Sequence, residues 1–170
     1  MKIKRIKWTE RKFNFDFPVR MFPIIIERLR GTAPHIEELI IGISEISLEN
    51  KTNDAWSVKQ HIGHLNDLEE LHEGRIDDFT NGLKTLRPAD MTNLKTNEAN
   101  HNNIPVGKLI SDFRNSRNHF ISRIENKTEQ ELITTAIHPR LNQPMRLIDM
   151  AYFVAEHDDQ HLAIIRELIS

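Results

Sequence analysis

The chain has 170 residues, with 23 Lys and Arg against 25 Asp and Glu, for a formal charge of −2. That length suits one domain with a real core, and the near-neutral balance gives neither nucleic acid nor an anionic membrane an electrostatic hold. With no cysteine, disulfides, thiolate zinc sites, iron–sulfur centres and a cysteine nucleophile are excluded, so any metal must take nitrogen or oxygen ligands.

No stretch approaches the ~18 uninterrupted apolar residues of a membrane span, and no signal-peptide core opens the chain. The expectation is a cytoplasmic protein with no membrane partner. The basic opening of Lys2, Lys4, Arg5 and Lys7 reads as a solvated terminus. Behind it, Trp8, Phe13, Phe15 and Phe17 alternate with polar residues, as in an extended arm laid over a bundle or across a partner. The division expected is an arm, 1–17, and a single domain, 18–170.

From there helical periodicity dominates, with no sustained period-two alternation. The first segment runs from Phe22 to Ile43 and carries Ile25, Ile26, Leu29, Ile36, Leu39 and Ile40 on one side. Its Gly31-Thr32-Ala33-Pro34 step predicts a break or kink, with Thr32 or Ala33 capping a restart and Pro34 in the first turn. The second begins at Ser57, which has capping-box spacing to Gln60, and ends at Asn81-Gly82; its stripe is Val58, Ile62, Leu65, Leu68, Ile76 and Phe79.

The connection from Leu83 to Ile104 is long and poor in large apolar groups, the mark of a functional loop, lid or crossover, with a turn of helix around Asn97 to Asn100. A third segment runs from Pro105 to Glu125 and turns Leu109, Ile110, Phe113, Phe120, Ile121 and Ile124 inward. Thr128 and Glu131 form a second capping-box pair, and the fourth segment spans Arg146 to Ile169. The fold class is therefore all-α: a four-helix bundle with a long crossover connection, whose metal sites are built from inward side chains on facing helices.

The fourth segment is the informative one. Steps of three and four give Leu147, Met150, Val154, His157, His161, Ile164 and Leu168, so two histidines at i and i+4 interrupt an apolar face. A buried imidazole without a partner is costly, and two on one seam invite a mutual hydrogen bond or a metal. A third ligand has to come from elsewhere. On the second segment, periodicity puts His61 inside the apolar stripe and His64 on its flank beside Leu68 and Leu71, which by itself favours His61.

Trp56-Ser57-Val58-Lys59-Gln60-His61-Ile62-Gly63-His64-Leu65, followed by Glu156-His157-x3-His161, resembles the DinB/YfiT-like family of four-helix-bundle metalloproteins. In that family a metal-binding histidine lies eight residues beyond a tryptophan that is followed by serine or threonine. The resemblance thereby implies His64 as a ligand together with the H-x3-H pair His157 and His161. It extends from about Phe22 to the C-terminus and takes in Asp78-Phe79-x2-Gly82 and His138-Pro139. The chain departs at Gln160, where relatives often have histidine, and in Leu162-Ala163-Ile164, which replaces a polar run. Neither departure touches the three ligands.

The resemblance implies a divalent transition metal, nickel or zinc, since a three-nitrogen site does not discriminate among late first-row ions. It also implies a homodimer. Relatives include S-transferases and isomerases that use a low-molecular-weight thiol as cosubstrate, and proteins described only as metal-dependent hydrolases. The expected function is a metal-dependent transferase or hydrolase acting on a small molecule. The alternative is a non-catalytic metal- or ligand-binding module, a dimeric stress-response protein. DNA binding is disfavoured, because no basic recognition helix is present.

Asp67, Glu156, Asp158 and Asp159 flank the ligands, and each either orients an imidazole, acts as a base or is simply solvated. Arg117 sits in an apolar seam between Phe113 and Phe120, where it either holds an anionic substrate or thiol carboxylate or serves as a core ion pair or snorkelling stem. His35, His72, His101, His119 and His138 are assigned to packing, capping or solvent.

Overall fold

The computed structural model describes residues 3–51 and 55–170; Lys2 lies outside them. After short 3-10 turns at Trp8–Glu10 and Val19–Met21, the chain enters α1 (Phe22–Leu39) and then a single turn, α2 (Glu45–Leu48). It continues through α3 (Val58–Asp67), α4 (Glu69–Thr80), α5 (Leu94–Glu98), a 3-10 turn at His101–Asn103, α6 (Val106–Glu125) and α7 (Glu129–Leu132). A hairpin of β1 (Thr135–His138) and β2 (Gln143–Arg146) leads into α8 (Leu147–Leu168). α1, the α3/α4 pair, α6 and α8 form the bundle, and α1 packs on both α6 and α8.

α1 does not break where the sequence suggested. It continues through Pro34 and stops at Leu39, short of Ile43, with Gly42 at φ +77° beyond its end. Pro34 and Arg30, whose carbonyl loses its usual partner to the proline, are both exposed residues, while buried Leu29, Ala33 and Ile36 hold the helix against its neighbours. The second segment is divided at Leu68 into α3 and α4. Its Ser57–Gln60 capping box forms at the start, and Gly82, at φ +67°, closes its end as Leu83 N–H reaches back to Asp78 O at 3.0 Å.

The crossover from residue 81 to 105 holds its helical turn at Leu94–Glu98, ahead of the place expected, and a 3-10 turn at His101–Asn103. The antiparallel hairpin, register Thr135↔Arg146, was not legible in the sequence, because strands of four residues carry too little alternation. The crossover pairs with it: Ile137 N–H bonds Lys84 O at 2.8 Å and Leu86 N–H bonds Ile137 O at 3.0 Å.

The core has two apolar clusters, one around Ile25, Ile76, Phe120 and Val154, the other around Ile36, Ile62, Phe113 and Leu162. Between them in sequence on each long helix lies a buried polar group: Thr32, Glu69, Arg117 and Asp158. Arg117 Nη2 donates to Glu69 Oε1 at 2.7 Å and Nη1 donates to Asp158, to which Thr32 Oγ1 also donates at 2.7 Å. With Arg117 and Asp158 only 2% and 1% exposed, this layer ties all the long helices into one register.

Candidate metal centre

The capping box at Ser57 starts α3 so that His61 and His64 face inward, and α8 presents His157 and His161 opposite them. His64, His157 and His161 are all buried, and one ring nitrogen from each lies within 4.8 Å of the others. His157 Nε2 and His161 Nε2 are 3.2 Å apart. That is close to the ~3.4 Å between two nitrogens bound to one ion at about 2.1 Å in near-tetrahedral geometry. Two imidazole lone pairs facing each other at this distance need a proton or a cation between them.

Hydrogen bonds set the tautomers. The Thr96 hydroxyl donates to Asp67 Oδ2 at 2.9 Å, so it accepts from His64 Nδ1 at 3.0 Å, and His64 Nε2 is left with its lone pair. The same Asp67 oxygen accepts from His101 Nε2 at 2.8 Å. Burial works against the Asp67 charge, but the hydrogen bonds from His101 and Thr96 hold the carboxyl below its ordinary range. On the other side His61 Nδ1 and His161 Nδ1 meet at 2.8 Å. Donation from His161 to His61 leaves His161 Nε2 as a ligand atom.

Burial pushes His64 down to about 4, against the pull of Asp67. It pushes His157 and His161 well below the usual imidazole value, helped by neighbouring His64. All three rings are thus neutral near neutral pH, as nitrogen ligands must be. An all-imidazole donor set fits a divalent late first-row ion.

The cluster forms one wall of a cavity of about 670 Å³. Trp8 from the arm lies 4.9 Å, centroid to centroid, from both His157 and Phe153, and Trp56 lies 4.6 Å from His64. Gln160 Nε2 donates to Ile6 O at 3.0 Å, pinning the arm over α8.

The other site residues named from the sequence divide. Asp67 reaches His64 through Thr96. Arg117 and Asp158 do not line the cavity; Arg117 pairs with both Asp158 and Glu69, the core ion pair among the alternatives read from the sequence. Glu156 accepts from Arg28 at 2.7 Å and also pairs with Arg11 of the arm, and Asp159 pairs with Arg28.

Several contributors were missed. Thr96 and His101 come from the crossover, and His101 packs so closely on α3 that a Cβ on Gly63 would lie 2.3 Å from its ring. His72, assigned to packing, lines the cavity with Nδ1 3.4 Å from Glu69 Oε1. His138 and Arg140 reach the cavity from the hairpin. Two of these carried a signal: His72 in its i,i+3 spacing to Glu69, and His138 in the His138-Pro139 pair that belongs to the family resemblance.

A model of the DinB superfamily matches residues 17–165. The fold is similar to that of YfiT from Bacillus subtilis, described as a probable metal-dependent hydrolase with an unusual four-helix bundle topology. The two superpose with a TM-score of 0.75 at 18% identity, over 94% of this chain and 91% of that one. No curated protein matches the sequence closely enough to count as a relative.

Proposed function

This chain belongs to the DinB superfamily, and we propose that it is a metal-dependent enzyme that hydrolyses a small molecule or transfers a group from it to a low-molecular-weight thiol. His64, His157 and His161 hold the ion, nickel or zinc. One observation carries the reading: three neutral imidazoles converge within 4.8 Å on the wall of a cavity of about 670 Å³. A structural site is closed by its ligands, whereas a three-nitrogen site beside a cavity keeps a position open. Held there, a divalent ion supplies Lewis acidity, which lowers the pKa of a neighbouring water or thiol.

The chain itself supplies the remaining roles. His72 donates from Nδ1 to Glu69, which leaves Nε2 to exchange a proton with a molecule in the cavity. Trp8 and Trp56 cover the histidines and exclude water. In the division into an arm, 1–17, and a catalytic domain, 18–170, it is Trp8, Phe13, Phe15 and Phe17 of the arm that pack on the domain. The presence of a cavity supports this reading over the non-catalytic binding module.

The test is elemental analysis of untagged protein beside His64→Ala and His157→Ala, followed by assay of hydrolysis and thiol-transfer substrates. Near-stoichiometric nickel or zinc lost in both variants, with turnover that falls in His72→Asn at unchanged metal content, is the expected result. Protein that takes up no metal after reloading overturns the reading.

A further inference from the structure

Apart from the three-histidine cluster, the cavity is lined by several cations. Arg5, Lys7, Arg75 and Arg140 line it. Its carboxylate among the described residues, Asp90, is spent on its own loop, where Oδ1 accepts from Thr92 N–H at 2.8 Å and Oδ2 from Leu94 N–H at 2.9 Å. Arg5 is paired with Glu167 at 3.3 Å. Arg75 and Arg140 make no salt bridge among the described residues; Arg75, 2% exposed, donates only to the Arg87 carbonyl, at 3.1 Å.

Arg140 is held between two rings, its Cζ 5.5 Å from the Trp8 centroid and 5.6 Å from that of Phe153. Its Nη2 is nevertheless buried without a hydrogen-bond partner. Next to it on the hairpin, His138 is 2% exposed and packs against the same Phe153, with centroids 4.9 Å apart and the rings tilted by 51°. Leu141 N–H donates to His138 Nδ1 at 3.2 Å, so the proton of the neutral ring is on Nε2, and that atom too is buried without a partner. Two N–H donors from one turn of the chain thus lack acceptors at the edge of an apolar cavity.

We propose that the small molecule taken by this cavity has an apolar body and an anionic group, a carboxylate or phosphate, which Arg140 receives with His138 beside it. The inference rests on reading the cavity as the reaction chamber. Burial lowers Arg140 and brings Arg75 down to about 10, so both cations are held at a disadvantage that an anion offsets. Trp8, Trp56, Leu71, Met91, Phe153 and Ile164 supply the apolar walls. Phe153, against which Arg140 and His138 both pack, lies one helical turn, ~6 Å, before His157 on α8.

The experiment is calorimetric titration of phenylacetate, phenyl phosphate and the neutral 2-phenylethanol into wild type, Arg140→Gln and Arg140→Lys, each metal-free and zinc-loaded. In metal-free wild type at least one anion binds at least tenfold more tightly than the alcohol. Arg140→Gln brings it down to the alcohol's affinity, Arg140→Lys keeps part of the preference, and the phosphate and carboxylate arms rank the two anions. Unchanged alcohol affinity in the variants shows that the cavity is still folded. Equal affinity for anion and alcohol, no anion binding, or anion binding that appears only with zinc and ignores Arg140→Gln each overturns the proposal. Protein that binds the anion but never metal keeps this inference and loses the metal reading; the reverse result does the opposite.

Discussion

His61 and His161 stand 100 positions apart in the chain and meet Nδ1 to Nδ1 at 2.8 Å. Periodicity on α3 favoured His61 as a ligand, whereas the family resemblance implied His64. The geometry gives the two rings different work: His64 turns toward His157 and His161, and His61 grips His161 from behind.

An imidazole that fixes the tautomer of a ligand tunes affinity without being a ligand. His61→Ala is therefore expected to weaken zinc or nickel binding by about 10- to 100-fold while leaving a site, and His161→Ala to abolish it. Competition against a chromogenic chelator reads both. Equal and complete loss in the two variants would make His61 a ligand.

Thr96 and Gly63 test the opposite side. Thr96→Val keeps the shape but removes the hydroxyl that links His64 to Asp67, and metal affinity is expected to fall by about tenfold. Gly63→Ala forces its Cβ onto the His101 ring and should weaken metal binding in the same direction, with an added loss of thermal stability. Unaltered affinity in Thr96→Val would show that the crossover does not orient His64.

The buried ion layer predicts a stability effect separate from the site. Arg117→Met leaves Glu69 and Asp158 without their cation and should cost about 3–5 kcal/mol in urea unfolding, with the cavity's anion binding retained because Arg117 does not line it. The pH dependence follows from Glu69. Burial alone would raise its carboxyl, but the Arg117 charge and the hydrogen bond from His72 outweigh burial and bring it from 4.5 to about 2. A depressed folded-state pKa means that the unfolded chain takes up protons first, so this contribution is complete above about pH 5 and is lost as pH falls toward 2. Wild type should lose urea midpoint across that window more steeply than Glu69→Gln, and parallel profiles would refute the assignment.

Much of the bundle was readable because long amphipathic helices write their buried face into the chain at regular spacing. The Ser57–Gln60 and Thr128–Glu131 capping boxes both form, and the His157–His161 pair sits where the stripe of α8 placed it. Pro34 misled, because whether an unpaired carbonyl breaks a helix depends on its access to water, which is a property of the fold. The hairpin was unreadable: β1 and β2 are four residues each, and β1 takes its second partner, Lys84–Leu86, from a distant loop.

By itself, then, the sequence determined the all-α architecture, the absence of cysteine chemistry and an apolar face interrupted by two histidines, since each depends on local spacing or composition. Tertiary structure alone decided that His61 backs His161, that Thr96 and His101 from the crossover support His64, and that Arg117 belongs to the core while Arg140 faces the cavity. These pairings join residues separated by tens of positions. Hydrogen bonds and desolvation act across space, and no periodicity along one helix records which neighbour the folded chain will bring to it.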